Sequence, residues 1–276
     1  MITASIVLYN NSKDELHTVV RCATDSIAAF VYVVDNSPSD DLRKFVEGLS
    51  RKVIYIWTPQ NVGYGAAHNM AIQKSIEQGA TYHLVMNADI DFKKDVIEEL
   101  ATFMDHHPAV GLVMPKILYP DGHIQYLCKL FPTPTDLIFR RFFSFTSRAK
   151  KKQEKYELRM MDYTQVHFGV PSLSGCFMLL RTTALAQITG FDERYFLYLE
   201  DVDLCRRLHR VSQTAFYPEA SIVHHYAKGS YKQYRLLHYH ICAAVKYFNK
   251  WGWFFDRERG KINKKILQQL NYNPKP

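Results

Sequence analysis

From Ile2 to Met86 the chain alternates short apolar runs with longer segments whose apolar residues recur at helical spacing. Ile2 to Leu8 reads as a strand, Asp14 to Thr24 as a helix, Ala29 to Val34 as a second strand and Asp40 to Leu49 as a second helix. Val53 to Trp57 is a third strand, Gly65 to Gln78 a helix stopped by Gly79, and Thr81 to Met86 a fourth strand. Strands that alternate with helices join by crossovers into a parallel sheet, so an α/β fold is expected, with a Rossmann-like sheet and flanking helices. In such sheets ligands sit beyond the carboxyl ends of the strands. The polar residues that follow each strand, Tyr9-Asn10, Asp35-Asn36, Asn61 and Asn87-Ala88-Asp89, should therefore meet at one crevice.

Between Gly122 and Pro171 the regularity fades, with Pro132, Pro134, clustered aromatics and a basic stretch through Lys152, which predicts a variable excursion. Patterning returns at Ser172 to Leu180, and Tyr231 to Leu270 shows helical spacing of aromatic and basic residues around Trp251 and Trp253. The expected organisation is a main domain over 1–235, in halves 1–115 and 116–235, followed by a C-terminal helical basic-aromatic extension over 236–276. No GxGxxG or GxxxxGK[ST] loop follows any strand, which excludes a dehydrogenase-type dinucleotide site and a P-loop.

Composition narrows the class. With 47% hydrophobic and 22% charged residues, the 276-residue chain is globular and long enough to bury a large core. The five scattered cysteines form no CxxC pair, which fits small buried thiols in a reducing compartment. The N-terminus opens on a strand pattern in place of a signal peptide, and apolar runs such as Ile27 to Val34 fall short of the roughly 20 residues that span a bilayer. A cytoplasmic protein is expected.

The net charge of +8 gathers at Arg140-Arg141, Arg148 to Lys152 and Lys261 to Lys265, which suits nucleotide diphosphates or phospholipid headgroups. Arg140, Arg141, Phe142, Phe143, Arg148, Lys150, Lys151 and Lys152 are expected to rest on the inner face of a membrane as a peripheral contact. Nucleic acid is not expected as a partner, since a basic binding module would leave the strand-end carboxylates unexplained.

Asp89 follows the apolar strand Tyr82 to Met86, where a carboxylate either holds Mg²⁺ or Mn²⁺ or caps a helix; Asp91 lies two positions on. Phe196 to Cys205 sets Glu200, Asp201 and Asp203 among bulky apolar residues, and burial with neighbouring like charge raises a carboxylate toward a general base. The same acids could simply complement a helix N-terminus, balanced by Arg206 and Arg207. His224-His225 follows the strand-like Ala215 to Val223 and offers imidazole to a metal or phosphate. Lys228, Ser230, Tyr231 and Lys232 add donors for a diphosphate.

These pieces fall into one order: Ile6-Val7-Leu8-Tyr9-Asn10, Val33-Val34-Asp35-Asn36-Ser37, Asn61 through Asn69, Met86-Asn87-Ala88-Asp89, Ser174-Gly175-Cys176-Phe177-Met178, Gly190-Phe191-Asp192-Glu193, Leu199 through Leu204, and His224 through Ser230. In that order the chain resembles the glycosyltransferase family 2 enzymes of GT-A fold, particularly the rhamnosyltransferase-like branch of bacterial surface polysaccharide synthesis. The resemblance implies an inverting, metal-dependent hexosyltransferase that uses Mg²⁺ or Mn²⁺. It would move a sugar from a nucleoside-diphosphate donor to a glycan or lipid-linked glycan in lipopolysaccharide or capsule synthesis.

By the same resemblance Tyr9, Asn10 and Asp35 border the base and ribose, and Asn61, Gly65, Asn69, Asn87 and Gly175 shape the donor pocket. Asn87-Ala88-Asp89 stands where the family has its DxD motif with the first acid replaced by Asn, which leaves Asp89 as the metal ligand, His224 beside it and Asp91 as second choice. Asp201 takes the general-base role with Glu200 as support. A nucleotidyltransferase is the rival class, but it adds a glycine-rich basic loop near its first strand, and Ile6 to Ser12 holds no glycine.

Overall fold

The computed structural model describes residues 1–137, 146–225 and 234–272. β1 (Ile2–Leu8), β2 (Phe30–Asp35), β3 (Val53–Trp57) and β4 (Tyr82–Met86) are parallel, with β1 between β2 and β4 and β3 outside β2. The crossovers carry α1 (Lys13–Asp25), α2 (Arg43–Glu47) and α3 (Tyr64–Glu77), as the pattern predicts, although α2 is far shorter than Asp40 to Leu49. Ser12 starts α1 with a capping box: its hydroxyl accepts from the Glu15 amide while the Glu15 side chain accepts from its own.

Beyond β4 come β5 (Ile90–Phe92), α4 (Val96–His106), β6 (Val110–Leu118), α5 (Ser147–Tyr156), β7 (His167–Phe168), β8 (Phe177–Arg181), α6 (Thr182–Ile188), α7 (Glu200–Leu208), β9 (Gln213–His224), α8 (Tyr234–Trp251) and α9 (Arg257–Gln269). Among the described residues the strands form one mixed sheet in the order β3-β2-β1-β4-β8-β6-β9-β5, with β7 paired to β9. The reversal lies at β8, antiparallel to both β4 and β6.

The basic stretch read as irregular is in part helical. Thr146 caps α5 by accepting from the Ala149 amide, and only Ala149 and Tyr156 of that helix are buried, so its lysines leave no apolar period to recognise.

Period-two alternation in β2 fills both faces of the sheet. Val31 and Val33 pack with Leu16, Val19 and Val20 of α1, while Tyr32 and Val34 pack with Ala67 and Ala71 of α3. α8 and α9, set apart in the sequence as an extension, contribute Ala243, Tyr247, Phe248 and Ile266 to the main core. They are also bound to α7 by charge. Arg206, 1% exposed, donates to both carboxylate oxygens of Asp256 at 2.6 and 2.5 Å.

Under α3 the sheet carries a buried polar chain. Thr3 Oγ1 lies 2.6 Å from Ser75 Oγ and 2.8 Å from His83 Nδ1, and Ser5 Oγ lies 2.8 Å from His83 Nε2 and 2.7 Å from His68 Nδ1. Burial holds His83 down to about 3 and His68 well below the ordinary imidazole range. Both rings stay neutral in the folded state, whereas the unfolded chain protonates them below about 6.5. Stability is therefore fully present above that pH and falls as pH drops toward the depressed folded values. Between pH 7 and 5.5 the two rings should together remove roughly 2 kcal/mol, since each approaches ~1.4 kcal/mol per pH unit. Urea midpoints at the two pH values test this, and an unchanged midpoint would contradict neutral burial of the pair.

Candidate active site

β1, β2 and β4 end at one edge of the sheet, and β9, running in the same direction, brings His224 to that edge. There a cleft of about 290 Å³ is lined by Tyr9, Asn36, Asn61, Gly63, Tyr64, Asn87, Asp89 and Phe196, among others. A cleft of about 390 Å³ against α4, with Glu98, Glu99, His106 and His107, holds none of the strand-end candidates and lies outside this site.

The N-terminus of α3 borders the cleft. Gly63 adopts φ +91°, and a Cβ there would stand 2.5 Å from the Phe196 carbonyl oxygen, which accepts from the Tyr64 amide at 2.9 Å. No side chain fits at Gly63 without moving that loop. Asn61 Oδ1 accepts from the Gly63 amide at 2.9 Å, and Asn36 donates to the Gly63 carbonyl at 3.3 Å.

On the sheet side, Asn87 donates its amide to Cys176 O at 2.9 Å, and the His225 amide donates to Asp89 O at 2.9 Å. His224 Nε2 lies 3.3 Å from Asp89 Oδ1. Gln125 fixes that ring: its Oε1 is 2.9 Å from His224 Nδ1, and its amide donates to His224 O at 2.8 Å. Asp89 Oδ1 is buried and accepts no hydrogen bond among the described residues. Burial would raise the Asp89 carboxyl, but His224, its own backbone amide and Asn87 outweigh burial and hold it below its ordinary value.

A buried, unsatisfied carboxylate oxygen facing an imidazole fits a divalent cation, which Asp89 and His224 would hold. The described residues contain no cluster of three or more His, Cys, Asp or Glu side chains that could hold a metal by themselves.

The acidic motif forms the first turn of α7. Tyr198 and Leu199 precede it at φ +74° and +62°, a left-handed pair that costs of order 1–3 kcal/mol per residue. This turn aims Asp201 at Gly175, whose amide donates to Asp201 Oδ2 at 3.1 Å, while Asp201 Oδ1 accepts from Val202 N at 2.8 Å. A Cβ on Gly175 would lie 3.3 Å from Asp201 Cβ and 3.6 Å from Tyr64 Cε1, so the glycine fits between them. The Tyr64 hydroxyl sits 2.8 Å from Gly175 O and 2.9 Å from Asn87 Oδ1, bridging the Gly175 backbone that holds Asp201 and the loop after β4 that carries Asp89.

Glu200 is buried beside Asp201, and its Oε2 has no partner among the described residues. Burial, then the charge of Asp201, pushes its carboxyl up to about 8. Below that pH Glu200 is neutral; above it a buried charge appears beside Asp201. Activity should decline as pH rises through about 8, and Glu200→Gln should remove that alkaline limb while retaining kcat/KM at pH 7 within about tenfold. A loss above about a hundredfold at pH 7 would show that ionised Glu200 is needed.

Several expected residues do other work. Asp35 is fully buried, one oxygen accepting from the Ser37 amide at 2.8 Å and the other from the Tyr55 hydroxyl, so it braces the loop and Asn36 reaches the cleft in its place. Asn10 holds that loop through its amide, which donates to Ser37 Oγ at 2.9 Å. Gly65 makes room for Phe191, whose Cβ would be 2.9 Å from an added Cβ. The Asn69 side chain bonds Phe191 N at 2.8 Å and Phe191 O and Glu193 at 2.9 Å, clipping that segment without lining the cleft.

Asp91 faces away. Alternation along β5 turns it toward α1, 3.4 Å from Cys22 Sγ, so it cannot stand beside Asp89 as a second ligand. Asp203 is fully buried among Arg207, Lys250 and Trp251, each 2.7 Å away, and anchors α8 to α7. Tyr64, Gln125 and Phe196 have no role assigned from the sequence; Tyr64 falls inside the Asn61 to Asn69 motif and Phe196 opens the Phe196 to Cys205 motif, whereas Gln125 carries no signal. Lys228, Ser230, Tyr231 and Lys232 lie outside the described residues, as do Arg140, Arg141, Phe142 and Phe143.

The mixed α/β sheet with flanking helices has the GT-A fold, with Asp89 and His224 at its strand ends. Residues 4–188 match the sequence profile of glycosyl transferase family 2, and the chain belongs to that family. It is similar to the N-acetylglucosaminyl-diphospho-decaprenol L-rhamnosyltransferase of Mycobacterium tuberculosis, with 28% identity over 209 residues that cover 72% of this chain and 67% of the relative. It is also similar to the rhamnosyltransferase WbbL of Escherichia coli strain K12, 25% identical over 67% of this chain and 69% of WbbL. Among solved structures, GalNAc-T7 with UDP, GalNAc and Mn²⁺ superposes with a TM-score of 0.60 at 12% identity, over 81% of this chain and 43% of that one.

Proposed function

We propose that the protein is an inverting, divalent-cation-dependent glycosyltransferase that moves a sugar from a nucleoside-diphosphate donor to a lipid-linked glycan in surface polysaccharide synthesis, at the cytoplasmic face of a membrane. One observation carries this reading: the Asp89–His224 pair, with its unsatisfied oxygen, and Asp201, seated on Gly175, are joined through Tyr64 at the edge of one cleft. The relatives point the same way, since one is named for a diphospho-decaprenol acceptor and a structural neighbour is described with UDP and Mn²⁺.

In this scheme Tyr9, Asn36 and Asn61 bound the nucleotide end of the cleft. When bound, Mg²⁺ or Mn²⁺ neutralises the leaving diphosphate, with Asp89 and His224 as its protein ligands. Asp201 takes the proton of the acceptor hydroxyl as that oxygen attacks the anomeric carbon from the face opposite the diphosphate, so one displacement inverts configuration. A nucleoside diphosphate needs no general acid, unlike the leaving alcohol of a glycoside hydrolase. Glu200, neutral behind Asp201, keeps a second charge out of the site.

A thermal-shift panel of UDP, dTDP and GDP with and without Mn²⁺ tests the proposal. One base should stabilise the protein in the presence of the ion, by about 2.7 kcal/mol at a hundredfold excess over Kd. Absence of stabilisation by any of the three would overturn it.

Of the stretch expected at the membrane, Arg148, Lys150 and Lys151 are exposed on α5, while Lys152 turns inward to Asp136 at 3.4 Å. No described helix is long and apolar enough to cross a bilayer.

A further inference from the structure

A second group of exposed aromatic residues with basic neighbours lies at the turn between α8 and α9. Phe254 is 79% and Phe255 96% exposed, with Trp253 beside them at 38%. On α8, Ile241 and Val245 lie one helical turn apart and are 50% and 40% exposed.

The exposure is built into the turn. Gly252 reverses the chain at φ +101° and donates to Phe248 O at 2.8 Å, and Trp253 Nε1 donates to Asn249 Oδ1 at 2.8 Å. Beneath the rings, buried Arg259 reaches Trp253 O and Phe254 O at 3.4 and 3.5 Å, while Asp256 caps α9 and is gripped by Arg206. A polar, buried base thus holds two phenyl rings outward.

Charge completes the surface. Arg257, Lys261, Lys264 and Lys265 recur at the spacing that shares one face of α9. All four are exposed and none pairs with a carboxylate among the described residues. The nearby acids are already engaged, Asp256 by Arg206, and Glu258 by Arg206 and Arg210.

We propose that the Trp253-Phe254-Phe255 turn and the basic face of α9 form a docking surface for an anionic lipid bilayer. The rings enter the headgroup boundary while the lysines and Arg257 attract acidic headgroups. Rings that project from a turn, beside positive charge, fit a fluid interface better than the groove of a partner protein. The turn is also joined to the catalytic helix, because Arg206, which grips its base, lies about 9 Å along α7 from Glu200. The docking rests on the surface itself; its use in presenting a lipid-linked acceptor rests on the function proposed above.

The test is co-sedimentation of the full chain with vesicles of phosphatidylcholine alone or mixed with phosphatidylglycerol, at low and high salt. These vesicles hold no glycan lipid, so the result is independent of the transfer reaction, which nucleotide binding tests separately. The parent should bind the anionic vesicles at low salt and shift Trp fluorescence to the blue. Phe254→Ser with Phe255→Ser, or Lys261→Ser with Lys264→Ser and Lys265→Ser, should each cut the partition coefficient by roughly tenfold or more, with unchanged melting and nucleotide binding. Failure of the parent to bind, or undiminished binding by the Phe254/Phe255 variant, would overturn the proposal. So would loss of binding only in Arg148→Ser with Lys150→Ser and Lys151→Ser, or light scattering that shows a dimer broken by the Phe254/Phe255 changes.

Discussion

Asp201→Asn should lower kcat/KM for sugar transfer by about 10²–10⁴-fold while nucleoside-diphosphate affinity stays within about twofold. The amide keeps the size of the carboxylate and, through its one carbonyl oxygen, keeps one of the two bonds donated by the Gly175 and Val202 amides, while its NH2 cannot accept the other. It loses the ability to accept the acceptor's proton. Donor contacts are untouched, because the cleft that holds the nucleotide is lined from β1, β2 and β4 and not by Asp201. Retention of more than about a tenth of kcat/KM, a barrier change under ~1.4 kcal/mol, would remove Asp201 from the role and point to Glu200.

Asp89→Ala should weaken Mn²⁺-dependent binding of the nucleoside diphosphate by about tenfold or more, with little change in melting. The residue stands after β4 with its side chain 28% exposed, and its backbone carbonyl accepts from the His225 amide just beyond β9, a bond that alanine preserves. Asp91→Ala is the control. Its side chain faces Cys22, so the metal titration should match that of the parent. An unchanged titration in the Asp89 variant, or equal losses in both, would contradict the pairing of Asp89 with His224.

What could be read in the sequence followed the strength of its periodicity. The parallel strands β1 to β4 are near-continuous apolar runs because both of their faces are covered, and the end of β4 brings Asp89 to the cleft. α4 is legible as well, since Val96, Ile97, Leu100 and Met104 form a buried stripe at helical spacing. β6 is harder to recognise, since its register slips between Pro115 and Lys116.

Side-chain direction was the weaker inference. Position at a strand end says that Asp35 is near the crevice but not that its carboxylate turns inward to Tyr55 and Ser37, and in β5 the alternation of Asp91 with buried Ile90 and Phe92 turns Asp91 toward Cys22. Gln125 could not be foreseen. It comes from the stretch without pattern and meets His224 across 99 positions of chain.

The central claim is a transfer reaction at the strand-end cleft lined by Asp89, with Asp201 as the base, and product analysis tests it most directly. The protein would be incubated with UDP-, dTDP- and GDP-sugars, Mg²⁺ or Mn²⁺, and membrane extracts that carry lipid-linked glycans. The expected result is release of one nucleoside diphosphate in step with a glycosylated lipid of inverted anomeric configuration, abolished by Asp201→Asn. Retained anomeric configuration, or pyrophosphate release from a nucleoside triphosphate and a sugar phosphate in place of transfer, would contradict it.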